Sequence, residues 1–296
     1  MKHRNFSVPI LAILVAVAFA SCSNLSLDSL FTNYYKENGL GQVTAAAIAD
    51  APATDLISQS GIEAGQLSET FFEMLAADST LEASTLATLE TVMNDPEAAP
   101  VIAQAAIALA IEINLNSVGA NLVIDNAPAA IALFTDPSFD ITQPDSLTTL
   151  LNLLLPPSLL NRATFTSAQL ETITTLIDRL AGLTDYFDLL VANLDANGGQ
   201  YAASGLDAGT LAQVGLIVRV INAIDPKYPV GNPTIGASIA QLLNHLEDPN
   251  LDPGLYIDYS DLMANYQTIL DDPALATLLN AAGIDLASIL AQFTNN

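Results

Sequence analysis

The sequence predicts an all-α protein, either a multi-helix bundle or a short α-solenoid of antiparallel helical hairpins, and three observations carry that prediction. Apolar residues recur at spacings of three and four along much of the chain, capping signals stand ahead of many of those runs, and no stretch alternates as a half-buried strand does. The one stretch that invites a strand reading, Leu109 to Asn116, reads as the end of a buried helix. Of 296 residues 51% are hydrophobic, with 15 Gly, 15 Pro and no Trp, so a large core is available.

The elements follow in order. Ser60 with Glu63 and Ser79 with Glu82 have the capping-box spacing, ahead of the apolar sets Leu67, Phe71, Met74, Leu75 and Leu86, Leu89, Met93. Ala98 to Ile113 is apolar except for Gln104 and Glu112, and its many alanines let neighbours approach closely, which marks it as the central helix. A membrane span is the rival reading of that run, but Pro100, Gln104, Glu112 and Asn114 interrupt it. Leu170, Ile173, Leu176, Ile177 and Leu180 make an amphipathic helix opened by Thr166 and Gln169 and closed by Gly182, expected as a left-handed cap. Phe187, Leu190, Val191 and Leu194 repeat the pattern until Asn197-Gly198-Gly199. Near the C-terminus Leu275, Leu278 and Leu279, then Leu286, Ile289, Leu290 and Phe293, form a pair hinged at Gly283, with Asp285 capping the second helix.

Asp-Pro occurs six times, at Asp95, Asp136, Asp225, Asp248, Asp252 and Asp272, each read as a helix start whose carboxylate accepts the first free N–H groups. Thr91 to Pro96 resembles Thr268 to Pro273, an offset that also aligns Ala87 with Ala264, Ala99 with Ala276, Ala105 with Ala282 and Ile107 with Ile284, so a duplicated helical hairpin is expected. Residues 39–296 are expected to form one helical domain, with seams near 135–146 and 225–236 where Pro, Asp and Gly concentrate.

Charge sets the class of partner. Seven Lys and Arg stand against 32 Asp and Glu, a net charge of −25 that reflects a shortage of bases. Nucleic acid is excluded as a partner, because a phosphate lattice must be met by clustered Lys and Arg.

At the N-terminus, Lys2 and Arg4 precede Val8 to Ala20, an apolar run of 13 residues that falls short of the roughly 18 a membrane-crossing helix needs. Phe19-Ala20-Ser21-Cys22 follows, and Cys22 is the only cysteine in the chain. This segment resembles a bacterial lipoprotein signal peptide, over residues 1 to about 24 and no further. The resemblance implies that residues 1–21 are removed, that the Cys22 sulfur carries a diacylglycerol, and that the freed amine is acylated with palmitate or a similar chain. Ser23 after the cysteine, in place of Asp, implies the outer membrane. Ala18-Phe19-Ala20 also fits an ordinary secretory cleavage site, which would leave Cys22 a free thiol in a secreted chain. More than one acyl chain gives durable anchoring where one alone is marginal. Cleavage would remove two bases and no acid, leaving Lys36, Arg162, Arg179, Arg219 and Lys227. So negative a body is repelled by anionic headgroups, so residues 22–38 are expected to act as a polar tether.

Catalytic chemistry finds little to use. After cleavage His245 is the only histidine, so zinc and a His-assisted serine hydrolase are both disfavoured; Gly236-Ala237-Ser238-Ile239-Ala240 lacks the final Gly of a nucleophile elbow. No cofactor is expected. The best metal constellation is Glu247, Asp248, Asn250, Asp252, Asp258 and Asp261, where alternate oxygen ligands suggest calcium, although Pro253 stands where the turn wants Gly and Tyr259 where it wants Glu. Glu112 and Arg219 are lone charges on apolar helices, either contacts for a polar ligand, or an internal ion pair or side chains that reach solvent past their own stems. Tyr201, Tyr228, Tyr256 and Tyr259 lie in the polar segments 195–207, 225–236 and 247–260 and are expected either to form a recognition face or to plug loops onto the core. The leading expectation is a non-catalytic, lipid-anchored binding protein of the bacterial envelope, with an envelope protein as partner. Two others stay open: a carrier of a small apolar ligand, akin to accessory lipoproteins of solute importers, and a carboxylate-based cell-wall hydrolase.

Overall fold

Helices account for nearly all the regular structure in the computed structural model, which describes residues 43–65, 67–118, 120, 165–202, 205–222, 224–245, 252–258 and 272–283. In chain order they are α1 (Ala45–Ala49), α2 (Ala53–Ser60), α3 (Glu69–Ala77), α4 (Ser79–Met93), α5 (Pro100–Ser117), α6 (Ser167–Gly182), α7 (Thr184–Ala196), α8 (Ala208–Asn222), α9 (Ile235–Asn244) and α10 (Pro273–Ala281). Short 3-10 turns occupy Ile62–Ala64 and Pro253–Leu255. Two short strands, β1 (Asp225–Pro226) and β2 (Ile257–Asp258), pair antiparallel with Asp225 opposite Asp258 and Pro226 opposite Ile257.

The axis is α5. Every residue from Ala103 to Leu115 is buried, on all faces of the helix, as a sequence apolar all round requires. Helices α2, α3 and α4 cover it from one part of the chain and α6 and α7 from another. A solenoid helix touches only its sequence neighbours, so this is a bundle. Leu109, Ile111, Ile113 and Leu115 are at most 1% exposed, and each contributes about 1.5–3 kcal/mol of burial free energy. The same helix is long and apolar enough to cross a membrane, but its surface is given over to its neighbours.

Around the axis, Phe71 and Phe72 meet edge to face at 5.3 Å, Phe187, Leu190, Val191 and Leu194 turn the buried stripe of α7 inward, and Leu275, Leu278 and Leu279 seat α10 on α7 and α8. A satellite packing unit lies at one side. Ile173 of α6 buries against Ala240 and Leu243 of α9, while Ile224, Leu242 and Ile257 seat the strand pair on another face of α9. Close approach here depends on Gly236, where a Cβ would lie 2.2 Å from the Thr174 carbonyl oxygen.

Several expected helix signals resolve differently. The Thr166–Gln169 capping box forms in full, and Gly198 and Gly199 (φ 70° and 75°) end α7. Ser60, by contrast, closes α2 instead of opening a helix, because Gly61 at φ 77° turns the chain immediately after it; its hydroxyl donates to the Ile57 carbonyl. Ser79 is the first helical residue of α4, and the cap is Asp78, whose carboxylate accepts from Thr80 and Leu81. Gly182 ends α6 without the left-handed conformation, since Leu183 leads directly into α7.

Of the Asp-Pro pairs, Asp272 caps α10 as expected. Asp95 instead closes a turn on the Glu97 N–H, with α5 starting only at Pro100; Asp225 lies in β1, and Asp252 heads a single 3-10 turn. The two junctions matched as a duplication therefore differ, one a turn and the other a helix start. Asp136, Asp248, Asp285, the last apolar set from Leu286 and the seam at 135–146 lie outside the described residues, as do residues 1–38.

Candidate functional site

Among the described residues three places bring chemistry-bearing side chains together. The first is a polar node between helices. Arg179 of α6 donates to the Glu82 carboxylate of α4 at 3.0 Å and to the Asn114 side-chain oxygen of α5 at 2.8 Å, both through Nη1. The Glu82 side chain is 9% exposed and that of Arg179 39% exposed, so the guanidinium spans from solvent to a buried acid. Tyr186 of α7 joins through Asn114, and its hydroxyl is held above the usual tyrosine range by burial and by the nearby Glu90. The arrangement fastens α4, α5, α6 and α7 together.

The second is a pocket beside Glu112, which is 4% exposed. Ile62, Leu67, Ala108, Leu206 and Leu211 line it with Glu112, and it measures about 20 Å3, space for one water molecule. A carried apolar solute does not fit there. Arg219, the other lone charge, resolves as an ion pair: it meets Asp188 of α7 through Nη2 and Asp272 of α10 through Nε at 3.3 Å. It is a tie among α7, α8 and α10.

The third is the face built on β1 and β2. The register places Lys227 beyond Pro226, donating its N–H to the Tyr256 carbonyl at 2.8 Å, and its ammonium meets Asp258 at 2.8 Å. That hydrogen bond, together with the nearby Asp225 and Asp252, holds the Lys227 ammonium protonated above its ordinary range. Tyr228 and Tyr256 lie 6.1 Å apart between ring centroids, and His245, at the end of α9, stacks on Tyr256 at 5.8 Å and 12°. The backbone of Tyr228 is pinned at both ends, because the buried Ser238 hydroxyl accepts from its N–H and donates to its carbonyl. Beyond the cis Tyr228–Pro229 bond the loop closes through the Asn232 N–H to Pro229 and the Thr234 N–H to Tyr228. Val230 at its tip is 95% exposed, and Leu255, one residue before Tyr256, is 64% exposed.

Of the sequence-derived candidates, the fold thus unites Tyr228, Tyr256 and His245, and it employs Ser238 as a brace. Tyr201 stands apart, packed against the main core, its hydroxyl without a hydrogen-bond partner. Gln104 holds its loop there, accepting from Ala202 and donating to Gln200. Burial raises the Tyr201 hydroxyl well above the usual tyrosine range. A folded-state value above the unfolded one favours the native state below pH ~10, and that contribution is lost as the pH climbs further. Tyr201→Phe is therefore expected to preserve the melting temperature at neutral pH and to flatten the alkaline loss of stability above pH ~10, read by thermal melts across that range.

For calcium, Asp252 accepts from the Gly254 N–H at 3.0 Å and Asp258 binds Lys227, so the two described ligands of the proposed loop serve a turn and an ion pair. Asp248, Asn250, Glu247, Asp261 and Tyr259 lie outside the described residues, as does Cys22. Among the described residues no group of three or more His, Cys, Asp or Glu converges as a metal site. Val230 and Leu255 escape sequence reading; the one available signal is an aliphatic residue beside Pro or Gly in an otherwise polar loop. Comparison with known proteins finds no matching family, no similar curated protein and no similar solved structure.

Proposed function

We propose that this chain is a lipid-anchored, extracytoplasmic binding protein of the bacterial envelope, held by acyl chains on Cys22 and acting without catalysis. One observation carries the reading: the only cysteine stands one residue beyond an apolar run too short to cross a membrane. The fold is compatible with such a role in two respects. Each of the three described bases, Arg179, Arg219 and Lys227, is committed to an ion pair within the chain, so none stands ready for a phosphate or an anionic lipid headgroup. The residues that a serine hydrolase would draw upon, Ser238 and His245, are a backbone brace and a ring stacked on Tyr256.

The test is Cys22→Ala in the full-length chain, followed by fractionation of the producing cells. The unaltered protein is expected to sediment with membranes and to need detergent for release. The variant should either appear in the soluble envelope fraction or persist as uncleaved precursor. A variant that is cleaved normally and still sediments with membranes would refute the anchor.

A further inference from the structure

We infer that the Val230–Leu255 face docks a partner protein through a segment that sets lysine or arginine beside apolar residues. The inference rests on reading the chain as a binding protein, and it adds the surface used and the chemistry recognised. Among the described residues the exposed large hydrophobics are Val101, Val230 and Leu255, and the last two share this pair of loops at 95% and 64% exposure against 36% for Val101. The loops are also fixed before any partner arrives. Ser238 pins Tyr228, two backbone bonds close the turn that carries Val230, and Lys227 joins the loops through both its N–H and its ammonium. Such pre-organisation lowers the ordering cost of association.

Charge selects the partner. Asp225, Asp252 and Asp258 all act on Lys227, the one lysine or arginine among the described residues of this face, and Lys227 is already joined to Asp258. Three carboxylates against one ammonium leave the rim negative, on a chain whose net charge is −25. A second copy would set like rims against each other, which is costly, and an anionic lipid surface would be repelled. A segment with Lys or Arg beside apolar residues meets both features of the face, and its attraction must weaken with salt.

The test uses the full-length protein in detergent and a random dodecapeptide display library, counter-selected on V230S/L255S. Both positions are exposed, so the variant is expected to melt with the parent. Enriched peptides should place Lys or Arg beside aliphatic or aromatic residues, bind V230S/L255S about tenfold more weakly, and lose affinity as salt rises. The inference is overturned by any of four results: no enrichment, enrichment of acidic or uncharged peptides, equal binding to the variant, or parent-specific adsorption to phosphatidylglycerol vesicles. Peptides that bind the parent and the variant alike refute this face while leaving a binding function in place. Failure of the anchor is read separately at Cys22.

Discussion

Gly236→Ala is expected to destabilise the protein by on the order of 3 kcal/mol, whereas Gly182→Ala, a like substitution in the helix that faces it, leaves stability unchanged or improves it by up to ~1 kcal/mol. At Gly236 the added Cβ would sit 2.2 Å from the Thr174 carbonyl oxygen and 2.8 Å from the Asp178 carboxyl group. The first of these is helix backbone and cannot turn aside, so α9 must move outward. That motion also stretches the 2.7 Å bond from the Gly236 N–H to Asp178, a charge-assisted contact whose loss adds to the cost. Because α9 bears Ser238, and through it Tyr228, the displacement should reach the loop face. At Gly182 a Cβ meets nothing within 4 Å and the backbone is not left-handed, so alanine gains helix propensity alone. Thermal or urea unfolding of the two variants decides it, and equal stability would refute the close α6–α9 packing.

Arg179→Ala is expected to cost about 3 kcal/mol, well above the effect of cutting an exposed ion pair. The reason lies in what remains. Glu82, 9% exposed at its side chain, would keep a carboxylate whose partner has gone, and the Asn114 oxygen would lose the same donor. Adding Glu82→Gln to Arg179→Ala removes the stranded charge and should recover a large part of the loss. Urea unfolding of the single and double variants measures the coupling, and strictly additive effects would contradict the node.

The helices were legible because their causes are local. Thr166 and Gln169 cap a helix three residues apart, Phe187 to Leu194 form one apolar stripe, and Ala98 to Ile113 is apolar on every side, so periodicity and composition place all three. Errors arose where two local signals competed. Asp78 outbids Ser79 for the same N–H groups, and Gly61 ends α2 at the residue after a serine that otherwise looks like a cap. Asp-Pro is ambiguous in the same way, because a carboxylate accepts from a turn as readily as from a helix start, as at Asp95.

The loop face was legible only in part, for a different reason. Its tyrosines stand out in polar segments, but the pairing of Asp225 with Asp258 and the meeting of Tyr228 with Tyr256 join residues far apart in sequence. No pattern within either segment encodes that contact, and none separates Tyr201, which packs on the core, from the pair that meets at the surface. Arg219 shows the converse: its isolation on an apolar helix flagged a need for partners without naming Asp188 or Asp272.

The central claim is that acyl chains on one sulfur, and no stretch of polypeptide, hold the chain at the envelope. Mass spectrometry of the N-terminal peptide from protein purified out of native membranes tests it most directly. The account predicts a peptide that begins at Cys22 and carries a diacylglyceryl thioether and an N-linked acyl chain. A peptide with an unmodified Cys22 thiol, or one in which Ser21 and Cys22 are still joined, would contradict it.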